Sequence, residues 1–192
     1  MKREGPHLLK WVLLKMAVES GVEILFHTTL LDAKKHNNKI EYIIISTKSG
    51  IRGVKAENFI DATGDANLAT LLGYSCKKSV VQQPATLQSH ISNYIFSNIK
   101  REKVAEALLD AHVYGLSKSV TVDQIMHYLW KQQIDIHTPS KNADTSIGKT
   151  KLEYDALSDL MKWYRFLRTI EGLEELIIDF IAEETGVRET NR

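Results

Sequence analysis

The sequence is poor in cysteine and proline and has almost no excess of charge. Its 192 residues include one cysteine, Cys76, three prolines and ten glycines, with 25 Lys and Arg against 24 Asp and Glu, a formal charge of +1. A single thiol excludes an internal disulfide framework, a four-cysteine zinc or iron–sulfur site and a redox-active cysteine pair built from this chain. It fits a reducing, cytoplasmic setting. Balanced charge argues against a nucleic-acid binder, which would carry a basic stripe. No apolar run reaches the roughly 18 residues of a membrane span, because Lys10 and Lys15 interrupt the first one. Met1-Lys2-Arg3 ahead of Leu8 and Leu9 makes a poor secretory signal, since those lysines follow and no small-residue cleavage site does. The glycines never fall as Gly-x-Gly-x-x-Gly, the turn that cradles a dinucleotide pyrophosphate; Gly50 and Gly53 come nearest, between two expected strands.

What is present is a globular pattern: 43% of residues are hydrophobic, and a chain of this length buries on the order of 70% of its unfolded surface. Gly5-Pro6 opens a helix whose Leu8, Leu9, Val12, Leu13, Met16 and Ala17 form one apolar stripe expected to face a core, with Gly21 at its end. Residues 22–26, Val-Glu-Ile-Leu-Phe, read as a strand buried on both faces, which suggests a parallel sheet. Residues 29–36, 39–47 and about 51–56 read as an antiparallel meander turned at Asn37-Asn38 and Lys48-Ser49-Gly50. A further strand then ends at Ala62-Thr63-Gly64-Asp65, and a short helix over about 66–72 stops at Gly73.

Beyond residue 75 the pattern predicts a strand over 85–96, with Thr86, Gln88, His90, Ser92 and Tyr94 on a polar face and Leu87, Ile91 and Ile95 opposite. Helices are predicted over 101–114, over 122–134 behind the capping box Thr121-x-x-Gln124, over 153–170, and over 173–185 with Gly186 as its cap. The polar stretch 138–150 reads as a loop. Charge is uneven: residues 1–55 hold ten Lys/Arg and five Asp/Glu, and residues 152–192 hold five and ten, as two solvated faces of opposite sign or as surfaces that meet. His112, His127 and His137 show no metal-ligand spacing, and Trp163, Tyr164 and Phe166 read as core or interface.

The most informative stretch is Ile60-Asp61-Ala62-Thr63-Gly64-Asp65. At the carboxyl end of a parallel strand, small residues let backbone amides approach a dinucleotide, and a carboxylate there can accept from sugar hydroxyls. An ordinary strand-to-helix turn with Asp65 as cap explains the same residues. Context extends the signal. The run from Gly5-Pro6-His7-Leu8-Leu9 through Ser20-Gly21-Val22-Glu23-Ile24 to Phe59-Ile60-Asp61-Ala62-Thr63-Gly64-Asp65-Ala66-Asn67-Leu68-Ala69 resembles the FAD-dependent oxidoreductase family, of the type with two dinucleotide-binding domains. Gly186-Val187-Arg188-Glu189-Thr190-Asn191-Arg192 resembles that family's GxRETRR segment, with Asn191 in place of the first paired arginine.

The resemblance implies a mixed α/β fold: a partial, Rossmann-like FAD-binding domain over 1–75 with a three-stranded meander as crossover, then a strand and helical substrate-side region over 76–192. It implies FAD contacts from Ala62, Thr63, Gly64 and Asp65, and a backbone contact to adenine near Leu30. His90 becomes a candidate for proton transfer, or an ordinary strand histidine. Arg188 and Arg192 become candidates for stabilising an anionic substrate or reduced flavin, or are ordinary salt-bridged residues. With no pyrophosphate turn and no C-terminal flavin segment, the chain reads as an interior piece of an enzyme acting on a small organic molecule. It is expected to be inactive alone, without nucleic-acid, membrane or metal partners, and completed by missing sequence of the same protein or by an oligomeric partner. The rival reading is a non-enzymatic α+β binding or assembly module.

Overall fold

The computed structural model describes residues 6–77, 83–140 and 143–187. They divide into two compact units, Met1–Cys76 and Lys77–Arg192.

The first unit opens with α1 (Pro6–Glu19), ended where Gly21 takes φ 73°. Leu9, Trp11, Leu13, Met16 and Val18 on it are each more than half exposed, so the apolar stripe expected to face a core has no cover among the described residues. The strand expected over 22–26 is absent: the segment is irregular and Phe26 is 65% exposed. An isolated strand leaves its amides and carbonyls unpaired, so a run built for a parallel sheet stays irregular where no neighbour pairs with it. The expected strand before residue 62 is missing for the same reason. The meander forms, as β1 (Thr29–His36), β2 (Lys39–Thr47) and β3 (Gly50–Val54), antiparallel in that order. Asn37 at φ 53° and Gly50 at φ 106° make its turns. Helix α2 (Asn67–Leu71) packs on β1 and buries Leu68; Leu72 follows it into the interior.

In the second unit the central strand is β4 (Ala85–Ser92), followed by α3 (Arg101–Leu108), a 3-10 turn over Ala111–Tyr114 and α4 (Val122–Lys131). Next come β5 (Gln133–Thr138), α5 (Ser146–Leu167) and β6 (Ile177–Ile181). The sheet order is β5-β4-β6, with both pairs antiparallel. Leu87 and Ile91 of β4 and Ile134 and Ile136 of β5 face a core with Ile125 and Leu129 of α4 and Leu160, Trp163 and Phe166 of α5. The opposite face carries Thr86, Gln88, His90 and Ser92 of β4 and Gln133, Asp135 and His137 of β5, with Phe180 and Ile177 of β6 beside His90 and Ser92.

Several helical expectations give way here. The predicted 122–134 helix stops at Lys131, because Gln132 turns to φ 56° and the following Ile134, Ile136 and Thr138 alternate as a strand. The predicted 173–185 helix is a turn burying Leu173 and Leu176, then β6, which completes the open edge of β4. Gly186 is no helix cap: its N–H donates to the Thr86 carbonyl at 2.9 Å, and the Thr86 N–H donates back at 3.0 Å. Helix α5 starts inside the expected loop, where Thr145 Oγ1 accepts from the Gly148 amide at 3.0 Å. The predicted 101–114 helix breaks after Leu108, and β4 ends at Ser92, ahead of Asn93 at φ 66°. Tyr94 consequently leaves the polar face, and its hydroxyl donates to the Leu129 carbonyl at 2.6 Å.

The whole is a mixed α/β protein with two three-stranded antiparallel sheets. Among the described residues no strands pair in parallel.

Candidate functional site

The corner after Ile60 is organised by one carboxylate. Asp61 Oδ1 accepts from the Thr63 amide at 3.1 Å and the Thr63 hydroxyl at 2.7 Å; Asp61 Oδ2 accepts from the amides of Leu68 at 2.9 Å and Ala69 at 3.1 Å. Thr63 Oγ1 in turn accepts from the Asn67 amide at 3.0 Å. The capping role expected of Asp65 thus falls to Asp61 and Thr63, which bind the first amides of α2 across the turn. Desolvation pushes the Asp61 carboxyl up, but the hydrogen bonds from Thr63, Ala69 and Leu68 outweigh it and hold the group below its ordinary value.

The turn is folded so that its small residues face outward. Gly64 sits at φ 83°, where a side chain is strained, and a Cβ placed on it meets nothing within 4 Å. Ala62, Thr63, Gly64 and Asp65 are all exposed. Leu30 lies in β1 opposite Ile45, half-buried beside the irregularity at Leu31. The corner fits a flavin nucleotide in one respect and not in another. It offers an open backbone that a bulky group can approach closely, but the N-terminal amides of α2 are already bonded to Asp61 and Thr63. The helix is therefore no receptor for a pyrophosphate.

The second candidate surface is the polar face of β4 in the other unit. His90 Nδ1–H donates to Asp179 Oδ1 of β6 at 2.6 Å, and Thr86 Oγ1 lies 3.0 Å from His137 Nδ1 of β5. Between them stand Gln88 and Asp135, a cross-strand pair, and Gln133 Nε2 donates to Asp135 Oδ1 at 2.7 Å. A groove of about 630 Å3 opens at the Thr86 end, lined by Gln88, Asp135, His137, Glu184 and Gly186 among others. The hydrogen bond from His90, then that from Ser92, keeps the Asp179 carboxyl below its ordinary value.

The segment entering this groove is clasped from behind. Glu153 of α5 accepts from the Thr185 amide at 2.8 Å and its hydroxyl at 2.6 Å, while Lys149 Nζ donates to the Thr185 carbonyl at 2.8 Å. Arg188 and Arg192 lie outside the described residues.

Sequence reasoning found Thr86, Gln88, His90 and Ser92 through their alternation in β4, but missed Asp135, His137 and Asp179. The period-two spacing of Gln133, Asp135 and His137 against Ile134 and Ile136 was the available signal. Among the described residues no group of three or more His, Cys, Asp or Glu could hold a metal ion, and no helix is long and apolar enough to cross a membrane.

Comparison with known proteins gives one result. The family model described as FAD dependent oxidoreductase matches residues 3–192. No curated protein matches, and no solved structure does. The match spans both candidate surfaces, and the family implies FAD as the cofactor of the parent protein, with the mixed α/β fold serving as a partial FAD-binding domain. The chain belongs to the FAD dependent oxidoreductase family.

Proposed function

We propose that this chain forms part of an enzyme that moves hydride or electrons between FAD and a small organic substrate, in a reducing, cytoplasmic setting. The observation that carries the reading is the corner at residues 61–69, where Asp61 and Thr63 hold a tight turn and leave Ala62 and Gly64 open to a flat, bulky group. Ala62, Thr63, Gly64 and Asp65 would line the nucleotide, with the Leu30 backbone toward adenine. FAD, when bound, supplies the electron-accepting chemistry. The chain's own share is placement and electrostatics: the preformed turn held by Asp61 in the first unit, and in the second a sheet face with His90 able to move a proton. Arg188 and Arg192 follow the groove in sequence and would meet an anionic substrate or reduced flavin.

The pyrophosphate must be held elsewhere. No Gly-x-Gly-x-x-Gly occurs in the 192 residues, and its loss removes several charge-assisted hydrogen bonds of roughly 1.5–3 kcal/mol each. Missing sequence of the same protein, or an oligomeric partner, would supply that turn and cover the exposed apolar residues of α1. The purified chain mixed with FAD is therefore expected to be colourless, and a yellow stoichiometric complex would overturn this account of the phosphate site. In the completed protein Ala62→Trp should leave the denaturant midpoint unchanged, since Ala62 is exposed, while weakening FAD binding by at least roughly tenfold. Unaltered FAD affinity would remove the corner from the flavin site. The rival reading as a non-enzymatic module rests on the absent turn alone and has no structural feature in its favour.

A further inference from the structure

We propose that His90 is the proton acceptor for the substrate's O–H or N–H hydrogen, and that Asp179 and Ser92 are the residues that position it. This rests on the reading that the polar face of β4 looks onto the substrate.

The pair is brought together from opposite ends of the unit, 89 residues apart, by the pairing of β6 with β4. The register shifts between His90 and Ile91. Phe180 stands opposite His90 and Ile178 opposite Ile91, so Asp179 is the extra residue of a bulge, and its carboxylate reaches the imidazole. The Nδ1 to Oδ1 distance is 2.6 Å, short for an N–H···O contact, as fits an ionised acceptor. Ser92, two residues along the same face, adds to His90 in keeping the Asp179 carboxyl ionised.

An ionised carboxylate accepts only, so it fixes the neutral ring with its proton on Nδ1 and its lone pair on Nε2. No second partner for the ring occurs among the described residues, and the His90 side chain is 45% exposed. A base with one nitrogen anchored and the other open is the arrangement that proton abstraction needs. His137 on the same face differs: its Nδ1 meets a hydroxyl, which accepts or donates and fixes no tautomer. The neighbouring groups on that face are Gln133 and Asp135 of β5, the latter already bonded by Gln133, and the half-exposed Phe180 of β6 opposite His90.

The step balances with oxidised flavin as electron acceptor. A bound oxidised flavin would supply the two-electron acceptor that takes the substrate's C–H hydrogen as hydride. The adjacent O–H or N–H bond breaks, its proton goes to His90 Nε2, and a C=O or C=N bond forms.

The test needs no substrate. Long-range 1H–15N correlation spectra of the imidazoles in the full chain, at about pH 8 where a histidine of ordinary pKa is neutral, should show His90 locked with Nδ1 protonated and Nε2 bare; His90→Gln assigns the signal. Asp179→Asn and Ser92→Ala should each release the lock, and Asp179→Glu should partly restore it. Carbethoxylation by diethyl pyrocarbonate, followed by mass spectrometry, should slow at His90 by roughly threefold to tenfold in Asp179→Asn. His112 and His127 serve as internal references and should not change. A His90 ring that exchanges freely between tautomers, or an unchanged carbethoxylation rate, overturns the assignment. Failure of the underlying reading looks different: the intact protein retains no FAD while the ring stays locked, and this overturns the redox role of the pair.

Discussion

At the scale of single residues, Asp61 carries the corner. Its two oxygens accept four hydrogen bonds, and three of those donors are backbone amides. Asp61→Ala is expected to cost about 1 kcal/mol, as other lost helix caps do, and to raise amide exchange at Leu68 and Ala69 before any other part of the unit changes. The folded carboxyl lies below its ordinary value. Its contribution is thus complete above the unfolded value and is lost as pH falls through the lowered folded one; protection of the Leu68 amide measured against pH should follow that course and lose it in Asp61→Asn. Tyr94 has the opposite sign. Burial pushes its phenol up to about 12 from 10.0, so its contribution holds below pH 10 and fades as pH rises through the folded value. Tyr94→Phe should flatten that alkaline limb and destabilise by about 1 kcal/mol at neutral pH through loss of the bond to the Leu129 carbonyl, both readable from urea midpoints.

At the scale of elements, the parts that could be read in the sequence are those whose signal is local. The meander announced itself through Asn37-Asn38 and Lys48-Ser49-Gly50, α1 through its Gly5-Pro6 start, and β4 through its alternation. The corner was found by its small residues, but its cap was assigned to Asp65, because nothing local shows that Asp61 reaches eight residues forward to Ala69. β6 was read as helix because Ile177, Ile178, Phe180 and Ile181 satisfy both periods when taken alone, and the helix expected over 122–134 ran two residues into β5. Tertiary pairing with β4 decides between them, and His90–Asp179 could not be seen without it. The error over residues 22–26 is the converse: a good strand sequence stays irregular without a strand to pair with. Ala182→Pro tests the outcome for β6. The Ala182 amide donates to the Gln88 carbonyl at 2.9 Å, so proline there should destabilise the second unit by about 1–3 kcal/mol in urea unfolding. A helix over 173–185 would lose that stability and also its far-ultraviolet helical signal, which a strand does not supply.

At the scale of the molecule, the two units differ in how much they bury. Among the described residues the first buries Ile45, Leu68 and Leu72, whereas the second has a continuous core running from Leu87 to Leu176. Local stability follows buried apolar contact. Hydrogen exchange on the intact chain should therefore show α1 and residues 22–28 exchanging fastest, the meander next, and β4, α4 and α5 last. Equal protection of α1 and α5 would show that α1 is covered in solution.

The reciprocal hydrogen bonds between Thr86 and Gly186 put two points a hundred residues apart in the second unit side by side. A module whose strands begin and finish at one spot can be spliced into a loop of a host without stretching it. By the same geometry, a short glycine-containing linker could replace everything from 87 to 185 and leave the path of the flanking polypeptide almost undisturbed. What lies between residues 86 and 186 is thus closed on itself, and its outward loops can vary without moving the point where it is tied.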